Sequence, residues 1–314
     1  MSAKRTVRIG TRRSRLATRQ AEAARDALSA RFPEIAFEIV KISSHGDRDR
    51  TSSLGRMSMT GIFTRRLEEA LRSGEVDLCA HSLKDLPTRL DPDVEVPAVL
   101  SRGDPRDALI SKGAKTVAAL PEGAVVATGS IRRRSQVLIT RPDVTFEEIR
   151  GNVETRLEKL AESDWEATIM ALAGLQRLGL ESRVTAALEL TEMVPAPAQG
   201  VIGLECRTEE ATIRDLILQV NDEVTFAAAG AERALMRHLE GGCYVPIGAH
   251  AEVSGGRVRL QAIVASEDGR RSVRGHREGP MGDSTSVGIE LAEELLADGA
   301  EEILSELRLR YRTS

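Results

Sequence analysis

Residues 124–171 read AVVATGSIRRRSQVLITRPDVTFEEIRGNVETRLEKLAESDWEATIMA. The apolar run Ala124 to Ala127 has the length of a strand, and the small-residue turn Thr128-Gly129-Ser130 hands over to a helix expected from Arg132 to Thr140. A strand from Val144 to Ile149, a helix from Val153 to Ala161 and a strand from Ala167 to Ala171 follow. Strands that alternate with helices in this way are the signature of an α/β domain with a largely parallel sheet.

The same alternation opens the chain. A strand from Val7 to Ile9 and a Gly-Thr turn precede a helix from about Ser14, with Leu16, Ala17, Ala24, Ala27 and Leu28 on one side. Strand Phe37 to Ile42, helix Phe63 to Ser73 and strand Val76 to Ala80 continue it. Gly103 to Asp107 reads as a crossover into the second unit. Pro195 and Pro197 favour extended backbone, so Val194 to Gln199 reads as the way back. Helices Thr208 to Val220 and Thr225 to Leu239 lead to Pro246 to Val253, Arg257 to Ser266 and Arg270 to Gly275, which alternate like antiparallel strands. Helices Ser286 to Asp298 and Glu301 to Tyr311 close the chain. At 314 residues, and roughly 100 to 200 residues per domain, three domains are expected: 1–100 with 199–221, 101–198, and 222–314. The first two are α/β with a cleft between them, and the third is a smaller α+β domain with an antiparallel sheet.

A formal net charge of -4 argues against a general nucleic-acid binder, which displays a strongly basic domain. No stretch reaches the roughly 20 apolar residues that span a bilayer, and the N-terminus carries no apolar signal core, so no membrane and a cytoplasmic location are expected. Cys79, Cys206 and Cys243 are odd in number and without metal-ligand spacing, which suggests neither a disulfide framework nor a metal site.

Four segments could carry chemistry. Gly10-Thr11-Arg12-Arg13-Ser14 lies between a strand end and a helix start, where free N–H groups and the dipole attract anions; a Ser cap with solvated arginines reads equally well. Thr128 to Arg134 repeats that layout with three arginines in a first helical turn, against the dipole, which an anion bound there would explain. Arg150-Gly151-Asn152 with Arg156 forms a third such junction, and all three fall at carboxyl ends of strands, where open α/β sheets bind ligands. His81 to Pro87 offers Asp85 beside Lys84, either as an ionised carboxylate or as an Asx turn. Two glycines before Cys243 leave its thiol open to approach, and nearby cations would make it nucleophilic. Cys79 lies within an apolar strand and Cys206 follows the apolar Val201 to Leu204, so both read as buried.

Taken in order, Arg8-Ile9-Gly10-Thr11-Arg12, His81-Ser82-Leu83-Lys84-Asp85-Leu86-Pro87, Asp104-Pro105-Arg106-Asp107-Ala108, Arg150-Gly151-Asn152, Ala173-Gly174-Leu175, Gln199-Gly200, Glu205-Cys206-Arg207 and Leu239-Glu240-Gly241-Gly242-Cys243 resemble the porphobilinogen deaminase family over nearly the whole chain. The resemblance implies two domains similar to the lobes of periplasmic binding proteins, and a transferase that joins four porphobilinogen units into the linear tetrapyrrole hydroxymethylbilane, with release of ammonia, for tetrapyrrole and heme biosynthesis. It implies a dipyrromethane cofactor held by a thioether to Cys243, and it makes Asp85 the catalytic group that stabilises the cationic azafulvene. Arg12, Ser14, Lys84, Arg132, Arg133, Arg150, Arg156 and Arg177 match positions that hold cofactor or substrate carboxylates, with Ser82, Thr128, Gly129, Ser130 and Gln199 beside them. The family's lid is Gly- and Lys-rich; here Arg56 replaces one lysine by charge and Thr60 stands where a second is usual. A monomer that passes its product to uroporphyrinogen-III synthase is the expected setting. The alternatives are a non-catalytic two-lobed binding protein for a small polycarboxylate and a phosphate-handling transferase. The first gives no reason for Gly-Gly-Cys, and the second lacks a glycine fingerprint.

Overall fold

The computed structural model describes residues 6–43, 59–239 and 245–312. The chain forms two compact units, Met1–Arg102 with Val201–Phe226, and Gly103–Gly200 with Ala227–Ser314.

In the first unit, β1 (Thr6–Arg12), α1 (Arg15–Arg31) and β2 (Ala36–Ile42) make a parallel strand-helix-strand step, followed by α2 (Met59–Arg72) and β3 (Leu78–Ser82). β4 (Val94–Val99) lies at the far edge, and β10 (Ile202–Arg207) enters between β3 and β4, antiparallel to both, giving the order β2-β1-β3-β10-β4. The sheet is covered on both faces. Val7, Ile9 and Leu78 pack with Ala24 and Leu28 of α1 and with Ile217 of α6 (Ala211–Leu218). Val76 and Cys79 pack with Leu67 and Leu71 of α2. Each fully buried Leu or Ile contributes roughly 1.5–3 kcal/mol relative to exposure. The inner face of α1 is Ala17, Gln20, Ala21, Ala24 and Leu28, so Gln20 and Ala21 join it while the expected Leu16 and Ala27 are only half-buried.

The second unit repeats the pattern. β5 (Asp107–Ser111), β6 (Val125–Ala127), α3 (Ile131–Thr140), β7 (Thr145–Glu147), α4 (Val153–Glu162), β8 (Ala167–Ala171), α5 (Leu172–Arg177) and the short β9 (Ala186–Ala187) build a sheet of order β7-β6-β8-β5-β9. β6, β7 and β8 run parallel, while β5 runs against β8 and β9. The carboxyl ends of β6, β7 and β8 and the amino end of β5 therefore share one edge. α7 (Glu223–His238) leads to the antiparallel sheet β11 (Ile247–Ser254), β12 (Arg257–Ala265) and β13 (Ser272–Pro280), backed by α8 (Ser284–Leu295) and α9 (Glu301–Arg312) around Leu235, Leu260, Leu291 and Leu304. Among the described residues no helix is long and apolar enough to cross a membrane.

Candidate active site

The first unit presents its functional side chains at the carboxyl ends of β1 and β3, which are parallel neighbours. Arg12 ends β1 and is half-buried. Ser14 caps α1, its hydroxyl accepting the Ala17 N–H at 3.2 Å. Ser82 ends β3 and accepts from Gln20 Nε2 at 2.7 Å, which explains the buried Gln20 on the apolar face of α1. A single 3-10 turn, Leu83–Asp85, follows. It is held by buried Leu83, whose N–H donates to the Val201 carbonyl at 3.0 Å, and closed by the Leu86 N–H on the Leu83 carbonyl at 3.2 Å. That anchoring lifts Asp85 into solvent, where no described residue gives its carboxylate a hydrogen bond or ion pair. Lys84 beside it is half-buried. Behind the turn, His81 Nε2 meets Oε2 of the fully buried Glu205 on β10 at 2.9 Å.

In the second unit the two expected strand-to-helix junctions lie side by side, because β6 and β7 pair. Thr128 Oγ1 accepts the Ser130 N–H at 3.1 Å, and Ser130 Oγ accepts the Arg133 N–H at 3.4 Å as the cap of α3; Gly129 between them is exposed. At the next junction Asn152 caps α4 by accepting the Thr155 N–H at 2.8 Å, and Arg156 Nε donates to the Gly151 carbonyl at 2.9 Å. Gly151 has φ +123°, and a Cβ there would sit 2.9 Å from the Thr155 methyl, so glycine is required. Arg150 is exposed and pairs with Glu148 at 2.8 Å.

Arg132 and Arg133 are buried, and the anion that faces them is internal. Asp107, fully buried at the start of β5, accepts hydrogen bonds from Nε and Nη2 of Arg133 on Oδ1 at 3.0 and 2.7 Å, while Oδ2 lies 2.8 Å from Arg132 Nη1 as an ion pair and Nη1 itself donates to the Val194 carbonyl at 2.8 Å. Gln199 Nε2 adds a bond to Oδ1 at 3.0 Å. Burial pushes the Asp107 carboxyl up, but the two guanidinium groups overcome this and hold it well below the usual carboxylate range. Burial lowers the pKa of Arg132. Two cations against one anion leave this cluster with one net positive charge at the edge shared by the carboxyl ends of β6, β7 and β8. Arg134 turns away and stacks its guanidinium 5.4 Å from the Phe146 ring centre. Arg177, from α5 at the same edge, donates to the Gly200 carbonyl at 2.5 Å, and burial lowers its pKa.

Arg56 and Cys243 lie outside the described residues, as does the side chain of Thr60. Cys79 and Cys206 are buried free thiols. Desolvation raises Cys79 well above its ordinary value, and desolvation first of all pushes Cys206 up to about 12, so both are held as inert thiols. Sequence reasoning gave no role to Gln20, Asp107 or Glu205. Asp107 sits in a segment that reads as a crossover and as a family motif without a role for this carboxylate, and Gln20 breaks an otherwise apolar helix face, which is the one signal that points to it.

Two family models match: "Porphobilinogen deaminase, dipyromethane cofactor binding domain" over residues 7–215 and "Porphobilinogen deaminase, C-terminal domain" over residues 226–297. The chain is 45% identical over 304 residues to porphobilinogen deaminase of Geobacter metallireducens, covering 97% of this chain and 95% of that one. It is 43% identical over 307 residues to porphobilinogen deaminase of Bordetella parapertussis, with 98% of each covered. Among solved structures it is similar to the methionine binding protein MetQ, with a TM-score of 0.44 and 14% identity over 68% of this chain and 89% of that one.

Proposed function

From the membership of this chain in the porphobilinogen deaminase family, we propose a division of labour among the residues described above. The activity is that of a hydroxymethylbilane synthase, a transferase of tetrapyrrole biosynthesis with a dipyrromethane cofactor. Four porphobilinogen molecules are condensed head to tail; in each step the aminomethyl C–N bond breaks, a C–C bond forms to the free α-carbon of the growing chain, and the proton displaced from that carbon balances the departing ammonia, while water cleaves the finished tetrapyrrole from the primer and supplies its hydroxyl.

The residues fit such a ligand. Pyrroles bearing acetate and propionate are polyanions, and both units place cations and hydrogen-bond donors at carboxyl ends of strands, with one net positive charge left on the Arg132–Arg133–Asp107 cluster. When bound, the dipyrromethane supplies the primer whose terminal pyrrole carbon is the nucleophile, and Cys243 is the residue we assign as its thioether anchor. Arg12, Arg133 and Arg156 take carboxylates of incoming porphobilinogen, with Lys84, Arg132, Arg150 and Arg177 neutralising the others. Arg56 contributes charge from the 44–58 segment. Ser14, Ser82, Thr128, Gly129, Ser130 and Gln199 shape and brace these contacts.

The observation that carries the catalytic assignment is the exposed carboxylate of Asp85, without a partner among the described residues, on a turn pinned at Leu83. As an acceptor-only group it can take pyrrole N–H protons in hydrogen bonds and stabilise the positive charge that develops as ammonia leaves. Asp85→Ala is expected to lower kcat by at least about a hundredfold, the scale of one lost transition-state contact, with an unchanged melting temperature. Retention of the wild-type rate would sink the assignment.

We place the enzyme in the cytoplasm as a monomer with three domains, 1–100 with 199–221, 101–198 and 222–314. Its product is an open, reactive tetrapyrrole, and we propose that uroporphyrinogen-III synthase receives it.

A further inference from the structure

The C-terminal sheet has two unlike faces. Ala249, Ala251, Val258, Leu260, Ala262 and Val264 point inward to the core under α7, α8 and α9. Side chains alternate along a strand, so His250, Gln261, His276, Arg259 and Arg274 belong to the other face. The crossover segment covers one end of that face: a Cβ on Gly248 would meet Val194, whose neighbour Pro195 accepts the Ala249 N–H at 2.9 Å, and Ile263 beneath is fully buried. Where this cover stops, the sheet and Val194 border an open pocket of about 400 Å³, with His250 buried at its floor, Gln261 half-buried, and Glu252, Arg259, Arg274 and His276 exposed around it.

Register brings three donors together there. Gln261 lies directly opposite His276, and Arg274 is two residues along β13 on the same face. No described residue gives the side chain of Gln261, His276 or Arg274 a hydrogen bond or an ion pair. This sets Arg274 apart in a chain whose neighbouring arginines Arg259, Arg271 and Arg277 all face carboxylates. Arg274 is exposed at the pocket rim, and partial desolvation lowers its pKa, with no carboxylate among the described residues opposing it. The two nearby carboxylates are engaged elsewhere, Glu252 with His250 at 3.4 Å and Glu278 with Arg259 at 3.5 Å.

We propose that this pocket is a second ligand site, distinct from the catalytic residues, that binds one small oxyanion, a carboxylate or a phosphate, on Arg274, Gln261 and His276. The guanidinium supplies paired N–H donors, the amide and the imidazole each supply one more, and together they match the oxygens of a planar or tetrahedral oxyanion. Glu252 and Glu278 at the flanks restrict the site to a compact ligand, because a larger polyanion would meet their charge.

The test follows the imidazole C–H resonances of the cofactor-loaded enzyme by NMR during separate titrations with inorganic phosphate and with acetate. The chain has five histidines, and single His→Gln variants assign them. The His276 and His250 signals are expected to move saturably while that of His238, on α7, stays still. Saturation by only one of the two anions identifies which oxyanion the site takes. Arg274→Gln should weaken the apparent affinity roughly tenfold or more, the scale of one charge-assisted hydrogen bond. Gln261→Glu, which sets a carboxylate in the middle of the donors, should abolish the response and serves where the first variant folds poorly. No saturable movement with either anion, or movement that survives both substitutions unchanged, would overturn the proposal.

Discussion

Asp107 has no solvent exposure and joins two guanidinium groups that the fold also buries. Removing one partner of such a cluster strands the rest in a low-dielectric interior, so Asp107→Ala is expected to cost on the order of 3–5 kcal/mol in urea unfolding. The pH dependence has a definite sign. The unfolded chain takes up a proton near the ordinary value of 3.8, whereas the folded carboxyl is held well below it, so the unfolded state binds more protons in that window. The contribution of Asp107 is complete above about pH 4 and is lost as pH falls toward the depressed folded value. Asp107→Asn should flatten that acid limb of a stability-versus-pH curve; an unchanged limb would show that the pairing is not made in solution. The two buried thiols give a second check. In the cofactor-loaded enzyme Cys79 and Cys206 should resist alkylation at neutral pH, and both should react once the chain is unfolded, as read by mass. At this scale the sequence was partly legible. The run Arg132-Arg133-Arg134 invites a bound anion, but the carboxylate that pairs with Arg132 and Arg133 belongs to the chain itself, 25 or more residues away. It comes within reach only because β5 is antiparallel to β8, a pairing that local spacing does not encode.

The junction after β7 shows what an element needs in order to place a side chain. Asn152 starts α4, and Gly151, at a φ open to glycine, turns its carbonyl toward Arg156. Gly151→Ala is expected to destabilise the protein by about 1–3 kcal/mol through backbone strain; a thermal unfolding curve that superimposes on wild type would contradict the geometry. Strands and helices with clear periodicity were readable, from β1 and α1 to the three C-terminal strands. Those that escaped did so for physical reasons. β5 and β10 are buried on both faces, so their residues do not alternate. β4 carries Pro97, which argues against a strand, and it is tolerated because β4 is the sheet edge.

Across the whole molecule, a chain of net charge -4 gathers arginines at strand ends in both units, and the charge that matters is local rather than global. The order of motifs along the sequence was enough to place it in its family. The partners that tune the arginines were not legible, since they come together only when distant strands pair. The central claim is that a dipyrromethane is tied to Cys243 and serves as primer. The measurement that tests it most directly is the intact mass of the purified protein beside that of its Cys243→Ser variant. The account predicts one added dipyrromethane in the wild type and none in the variant, with both chains folded. A folded wild type that gains no such mass even after incubation with porphobilinogen or hydroxymethylbilane, or a variant that still carries it, would contradict the account.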